Sequence, residues 1–146
     1  VDPGEGDLEI SYLLPTLADG KYFWHVTAIN AEDVKSSWSE TWKFRIDTLP
    51  PARPVLFKPK NLKQLTTSQP VLRIYAAEGA STYHYQVASD IDFMNMITES
   101  DNSAGLAWTV PDPLAKGIYY WRVKAIDEAT NESVWSKKWQ FTIVSP

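Results

Sequence analysis

Apolar and polar residues alternate with a period of two through several stretches of this chain. In Ile118-Tyr119-Tyr120-Trp121-Arg122-Val123-Lys124-Ala125-Ile126, the residues Tyr119, Trp121, Val123 and Ala125 fall on one face, and Tyr120, Arg122 and Lys124 on the other. That is the signature of a strand with one face buried and one wet. Trp139, Phe141 and Ile143 alternate in the same way with Lys138, Gln140 and Thr142. Nearer the start, Tyr22, Trp24, Val26 and Ala28 alternate with Phe23, His25 and Thr27, and Trp42, Phe44 and Ile46 with Lys43 and Arg45. Residues 71–76 and 82–89 read as two further strands joined by a turn at Glu78-Gly79-Ala80-Ser81, with Tyr83, Tyr85 and Val87 on a common face. Pro54 and Pro59 bracket an edge strand at 54–58, because proline removes ladder donors. Shorter strands are expected at 93–99 and 106–110, and at most one helical turn within 90–96. Six or seven strands with turns roughly 8 to 12 residues apart and no long helix predict an all-β sandwich.

The two alternating regions are copies of each other. Residues 17–46 and 114–143 align without a gap, every residue lying 97 positions before its match, as Trp24 lies before Trp121. Trp38 and Trp42 match Trp135 and Trp139, and Leu17, Gly20, Tyr22, Val26, Ala28, Ile29, Ser39, Phe44 and Ile46 recur in register. A fixed period of about one small domain indicates a tandem array. It places a complete repeat at 49–146 and the C-terminal half of a preceding repeat at 1–48, so the chain reads as part of something longer. Gly20 and Gly117 stand just before the most regular strand of each copy and are expected in tight turns of positive φ. Asp47-Thr48-Leu49-Pro50-Pro51 joins the repeats, and its tandem prolines favour a short, semi-rigid extended link.

Charge narrows the partners. Eighteen acidic residues against 14 basic ones give a net charge of −4, without blocks of either sign. Nucleic acid is disfavoured, since phosphate binding needs a clustered basic face. No apolar run is long enough for membrane insertion. There are no cysteines, which excludes disulfides and thiolate metal sites. Seven Trp and seven Tyr are the compositional anomaly, and most recur in the repeat register, as core residues do.

Residues 114–127, then Asn131, Trp135-Ser136 and Trp139-Gln140-Phe141-Thr142-Ile143, resemble the final strands of bacterial fibronectin type III or Ig-like repeats. Residues 85–93 look like the middle strand and following loop of that family, and residues 47–51 like its inter-repeat junction. The resemblance implies a fibronectin type III/Ig-like β-sandwich, found as tandem repeats in secreted or cell-surface bacterial proteins. It implies no particular activity. The first copy departs from it at His25, where the second copy has Arg122. Trp38-Ser39-Glu40-Thr41-Trp42 and Trp135-Ser136-Lys137-Lys138-Trp139 are similar to the Trp-Ser boxes of cytokine-receptor fibronectin domains. In those boxes a Trp ring stacks on an arginine of the neighbouring strand, which makes Arg122, Trp135 and Trp38 candidates for a structural staple.

Candidate chemistry is sparse. Asp90-Ile91-Asp92 with Asn95, and Asp127-Glu128 with Asn131 and Glu132, gather oxygen ligands of the kind calcium takes. Neither has the complete Asp-x-Asp-x-Asp-Gly loop with its distal glutamate. No resident metal or other cofactor is therefore expected, and calcium at Asp90, Asp92, Asp127 and Asn131 is the alternative to solvated turn carboxylates. His25 and His84 lack partners at zinc spacing. No nucleophile elbow, His-Glu-x-x-His pair or phosphate-cradling loop occurs, so no catalytic residue is expected. Asn131-Glu132-Ser133 matches the glycosylation acceptor pattern. The sequence thus predicts a non-catalytic structural or adhesive repeat of a bacterial extracellular, surface or envelope protein. Its expected partners are other domains of the same polypeptide, and neighbouring copies or a complementary chain pairing with residues 1–48. The alternative is a carbohydrate-binding accessory module of a polysaccharide-degrading enzyme, with Tyr83, Trp108 and Tyr120 as a stacking platform for sugar rings.

Overall fold

The computed structural model describes residues 11–144. The chain divides into two compact units, Val1–Asp47 and Thr48–Pro146. The first is built on one antiparallel pair, β1 (Gly20–Trp24) and β2 (Trp42–Ile46), in register from Gly20 opposite Ile46 to Trp24 opposite Trp42. Facing positions put like beside like. Tyr22 stacks on Phe44 with ring centroids 5.4 Å apart, and Trp24 lies 6.1 Å from Trp42.

The second unit holds eight strands, β3 (Val55–Lys58), β4 (Lys63–Leu65), β5 (Val71–Tyr75), β6 (Thr82–Ala88), β7 (Met96–Glu99), β8 (Ala107–Thr109), β9 (Gly117–Ile126) and β10 (Trp139–Ile143). They form a three-stranded sheet, β3-β5-β8, and a five-stranded sheet, β4-β10-β9-β6-β7. Leu56, Leu72, Ile74 and Val110 meet Tyr85, Val87, Trp121, Val123, Phe141 and Ile143 in one core between them. Every inward position expected on β6 and β9 is buried, as period-two alternation requires. Trp121 lies at the centre with no exposure, its ring edge-on to Trp139 and its indole N–H without a hydrogen-bond partner.

Three expectations change. Gly79, not Gly20 or Gly117, carries the positive φ, in the turn between β5 and β6. Gly20 and Gly117 open their strands beneath a tyrosine ring, the space for a Cβ lying 3.7 and 3.6 Å from Tyr22 and Tyr119. Each tyrosine folds back over its glycine and donates to the carbonyl of Ala18 or Ala115. Residues 90–95 form no helical turn, and the strand expected from 93 begins at Met96. The parallel strand β4 was not expected, because Lys63-Gln64-Leu65 offers one apolar residue to any pattern. Hydrogen bonding to β10 places it instead: the Asn61 side-chain Oδ1 accepts from the Gln140 N–H and the Leu62 N–H donates to the Gln140 carbonyl, which lays this segment along β10.

Candidate functional site

A cluster of polar and aromatic side chains lies on the outer face of the five-stranded sheet. Arg122 projects outward from β9 because its neighbours Trp121 and Val123 point inward. Its guanidinium is held between two rings, with Cζ 4.1 Å from the centroid of Phe93 and 4.1 Å from that of Trp135. Lys124 continues the stack, its Nζ 4.6 Å from the Trp135 centroid and 2.6 Å from Glu132. Below the stack, Arg122 Nε donates to Gln86 Oε1 at 2.9 Å, and Gln86 Nε2 donates to Glu99 Oε2 at 2.9 Å. The same glutamate oxygen lies 3.0 Å from His84 Nε2. Hydrogen bonds from Gln86, then from His84, hold the Glu99 carboxyl below the usual carboxylate range.

Two loops present the rings. Residues 127–138 run beside β9, and two buried serines bind them to it. Ser136 Oγ accepts from the Val123 N–H and Ser133 Oγ from the Ala125 N–H, while the serine N–H groups donate back to the carbonyls of Val123 and Ala125. The serines thereby substitute for a paired strand, and Trp135 between them is laid over Arg122. On the other side Asp90 organises residues 90–95. Its Oδ1 accepts from the N–H groups of Asp92 and Met94, and its Oδ2 from that of Asn95. These bonds, Asn95 first and Met94 next, lower the Asp90 pKa. Phe93, at the top of the loop with φ 59, is thereby turned onto Arg122 and buried.

The Arg122 and Trp135 contact expected of the staple is thus one half of a sandwich whose other half, Phe93, was expected in a strand and not in this stack. Gln86 was not expected in it either. The serines were legible, for Ser36 and Ser39 stand in register with Ser133 and Ser136 and bond the Ala28 and Val26 N–H groups in the same way. In the first copy Trp38 stacks on His25, centroids 4.0 Å apart and planes at 15°, so this staple has an imidazole in place of a guanidinium.

The calcium candidates are engaged in loop bonding. Asp90 is filled by amides, Asp92 faces Lys138 at 3.8 Å, and Asp127 accepts from the N–H and the side-chain amide of Asn131. Among the described residues no three His, Cys, Asp or Glu side chains gather at metal-binding distance. The acceptor pattern at Asn131 ends on Ser133, whose buried hydroxyl is bonded to β9. Of the three rings expected as a sugar platform, Tyr83 is buried, and its oxygen accepts from the Ala77 N–H. Trp108 packs on Tyr85 with centroids 5.8 Å apart, and Tyr120 is half-buried on the opposite face of β9 from the core. Those rings form no row, because inward alternation claims Tyr83. Burial also pushes the Tyr85 hydroxyl pKa far up, and that hydroxyl donates to the Gly105 carbonyl.

No protein-family profile matches this chain, and no curated protein sequence matches it. Among solved structures it is similar to the fibronectin type-III domain of human fibronectin type III domain containing protein 3, at 20% identity over 66% of this chain and 86% of that one, with a TM-score of 0.45. FN3tt matches at 17% identity over 64% of this chain and 97% of its own, with a TM-score of 0.47. The β-1,2-glucanase from Parabacteroides distasonis matches at 17% identity and a TM-score of 0.50, over 80% of this chain and 17% of the glucanase. At these identities the likeness is one of fold. With sheets ordered β3-β5-β8 and β4-β10-β9-β6-β7, the second unit is a β-sandwich of the fibronectin type III class. No helix of the described residues is long and apolar enough to cross a membrane.

Proposed function

We propose that this chain is a non-catalytic repeat module of a bacterial extracellular, surface or envelope protein, acting as spacer and interaction scaffold. The observation that carries the reading is the state of the outer-face cluster. Arg122 Nε, Gln86, Glu99 Oε2, His84 Nε2 and the Asp90 carboxylate bond one another or loop amides, and the Arg122 guanidinium lies against two rings. A catalytic or sugar-binding site needs convergent groups aimed at vacant space. Here they brace the sheet, and fold alone gives no substrate.

Two experiments test the reading. Affinity electrophoresis of the full chain through gels containing soluble polysaccharides is expected to leave its mobility unchanged, with no reducing ends released. Retardation that disappears in Tyr120→Ala or Trp108→Ala would replace it with a carbohydrate-binding module. Antibody labelling of intact cells of the source organism is expected to find the epitope outside the cell, and purely internal signal would overturn the location.

A further inference from the structure

A groove of about 320 Å³ lies on the second unit where the chain passes from β3 to β4 and on into β5, lined by Lys58, Lys60 and Lys63 together with the apolar Pro59, Leu65 and Val71. It is not the open face of an incomplete sheet, for the core of this unit is closed, with Leu72, Trp121 and Ile143 at no exposure. The three lysines are exposed, Pro59 is buried and Leu65 half-buried, so ammonium groups surround an apolar bottom. Residues 48–77 contain five basic side chains and no acidic one, in a chain whose net charge is −4. On the other sheet Lys124 and Lys138 face the carboxylates of Glu132 and Asp92. Among the described residues Lys58, Lys60 and Lys63 face none. Lys58 is instead the cross-strand partner of Arg73, which stands outward between buried Leu72 and Ile74, and like charges opposed across strands cost stability. A bound anion would relieve that repulsion. The rings beside the groove are already in use. Lys58 and Lys60 place Nζ 5.2 and 5.5 Å from the Phe57 centroid, Lys60 also lies 5.9 Å from that of Trp139, and Tyr75 packs on Phe57 at 4.9 Å. A nucleotide base or a sugar ring would have to displace a lysine in order to stack there.

We propose that this groove is the docking site for an acidic segment of a partner polypeptide, whose carboxylates meet Lys58, Lys60 and Lys63 while an apolar side chain enters between them against Pro59 and Leu65. Charge sets the sign of the ligand, and the occupied rings set its class. An extended segment turns every second side chain to the same side, which brings carboxylates and an apolar group into the groove together. Lysine ammonium groups are compact, rotatable donors, so they select for charge and spacing more than for one fixed carboxylate geometry. Each exposed ion pair is individually weak and screened by salt, so binding depends on the three lysines jointly and falls as ionic strength rises. The inference rests on the interaction-scaffold reading and gives that partner's chemistry.

The test titrates the full isotopically labelled chain with a synthetic peptide in which glutamate, leucine, glutamate and glutamate are spaced by single serines. Saturable shifts are expected at the amides of Lys58, Lys60, Lys63 and Leu65, with those of Arg122 and Lys124 unmoved. Raising the salt from about 50 to about 500 mM should weaken binding roughly tenfold or more. The chain carrying both Lys60→Gln and Lys63→Gln, changes at exposed positions, should bind about tenfold more weakly, and Lys137→Gln should bind as wild type. A peptide with glutamine in place of glutamate should produce no shifts. Absence of saturable shifts with the acidic peptide would overturn the proposal, and a groove already filled by the chain's own residues would give that result. So would undiminished binding to the double variant. Tighter saturation of the same amides by a thymidine oligonucleotide or a sulfated polysaccharide of equal charge would replace the acidic polypeptide with a general polyanion. None of these results touches the repeat-module reading, which falls instead to polysaccharide retention that is lost in Tyr120→Ala.

Discussion

Arg122 shows how one side chain can hold two loops. Its guanidinium contacts Phe93 and Trp135 on opposite sides and bonds Gln86 at its base. A partly desolvated cation–π contact contributes roughly 0.5 to 2 kcal/mol, and the arginine stem also shields ring surface. Arg122→Ala is therefore expected to cost about 1 to 2 kcal/mol, read as a lower denaturation midpoint with unchanged slope. Arg122→Lys should recover only part of it, because an ammonium has no planar face and no Nε–H for Gln86. Asp90 acts on the same stack through its loop. Its folded pKa lies below the unfolded value near 3.9. The carboxylate accordingly stabilises the fold in full above that value, and the contribution fades as pH falls through the folded pKa. Asp90→Asn, which loses an acceptor for Asn95, should melt lower than wild type at neutral pH, with the difference shrinking in acid below about pH 4. A gap that stays constant with pH would show that the charge is irrelevant.

At the scale of strands and loops, legibility followed alternation, with or without a repeat. β9 and β10 were readable because alternation and the 97-residue register agree on the same inward residues, Trp121, Val123, Phe141 and Ile143. β4 was hidden because main-chain bonds to Gln140 place it and no hydrophobic face is required of it. Phe93 was assigned to a strand because its apolar neighbours suggest one, yet Asp90 draws three amides inward and turns the backbone through φ 59. Side-chain capping of this kind overrides strand propensity over a few residues. The serine pairs give a matched test. Ser136→Ala strands the buried Val123 N–H and is expected to cost roughly 1 to 3 kcal/mol. Ser39→Ala removes the same bond from the exposed Val26, whose N–H can turn to water, and should stay within about 0.5 kcal/mol. Equal costs in thermal or urea unfolding would contradict the substitution of serines for a strand.

For the molecule as a whole, one sequence pattern occurs in two states of burial. In the second unit two sheets close on each other and remove Trp121 from solvent entirely. In the first unit the matching Trp24 sits, among the described residues, on a two-stranded sheet, a structure that by itself is only marginally stable in water. Stability is then expected to be distributed unevenly along the chain, with slow amide exchange in β6 and β9 and fast exchange in β1 and β2. Truncating the matched residues separates the two environments. Trp121→Ala should cost about 3 to 5 kcal/mol through lost transfer energy and the cavity left among Val87, Val123 and Phe141. Trp24→Ala, at a site already half in water, should move the cooperative unfolding transition by less than about 0.5 kcal/mol. Urea titrations of the two variants beside wild type make the comparison directly. Should Trp24→Ala prove as damaging as Trp121→Ala, the first unit would have to be buried in solution, and the contrast between the two copies would fall with it.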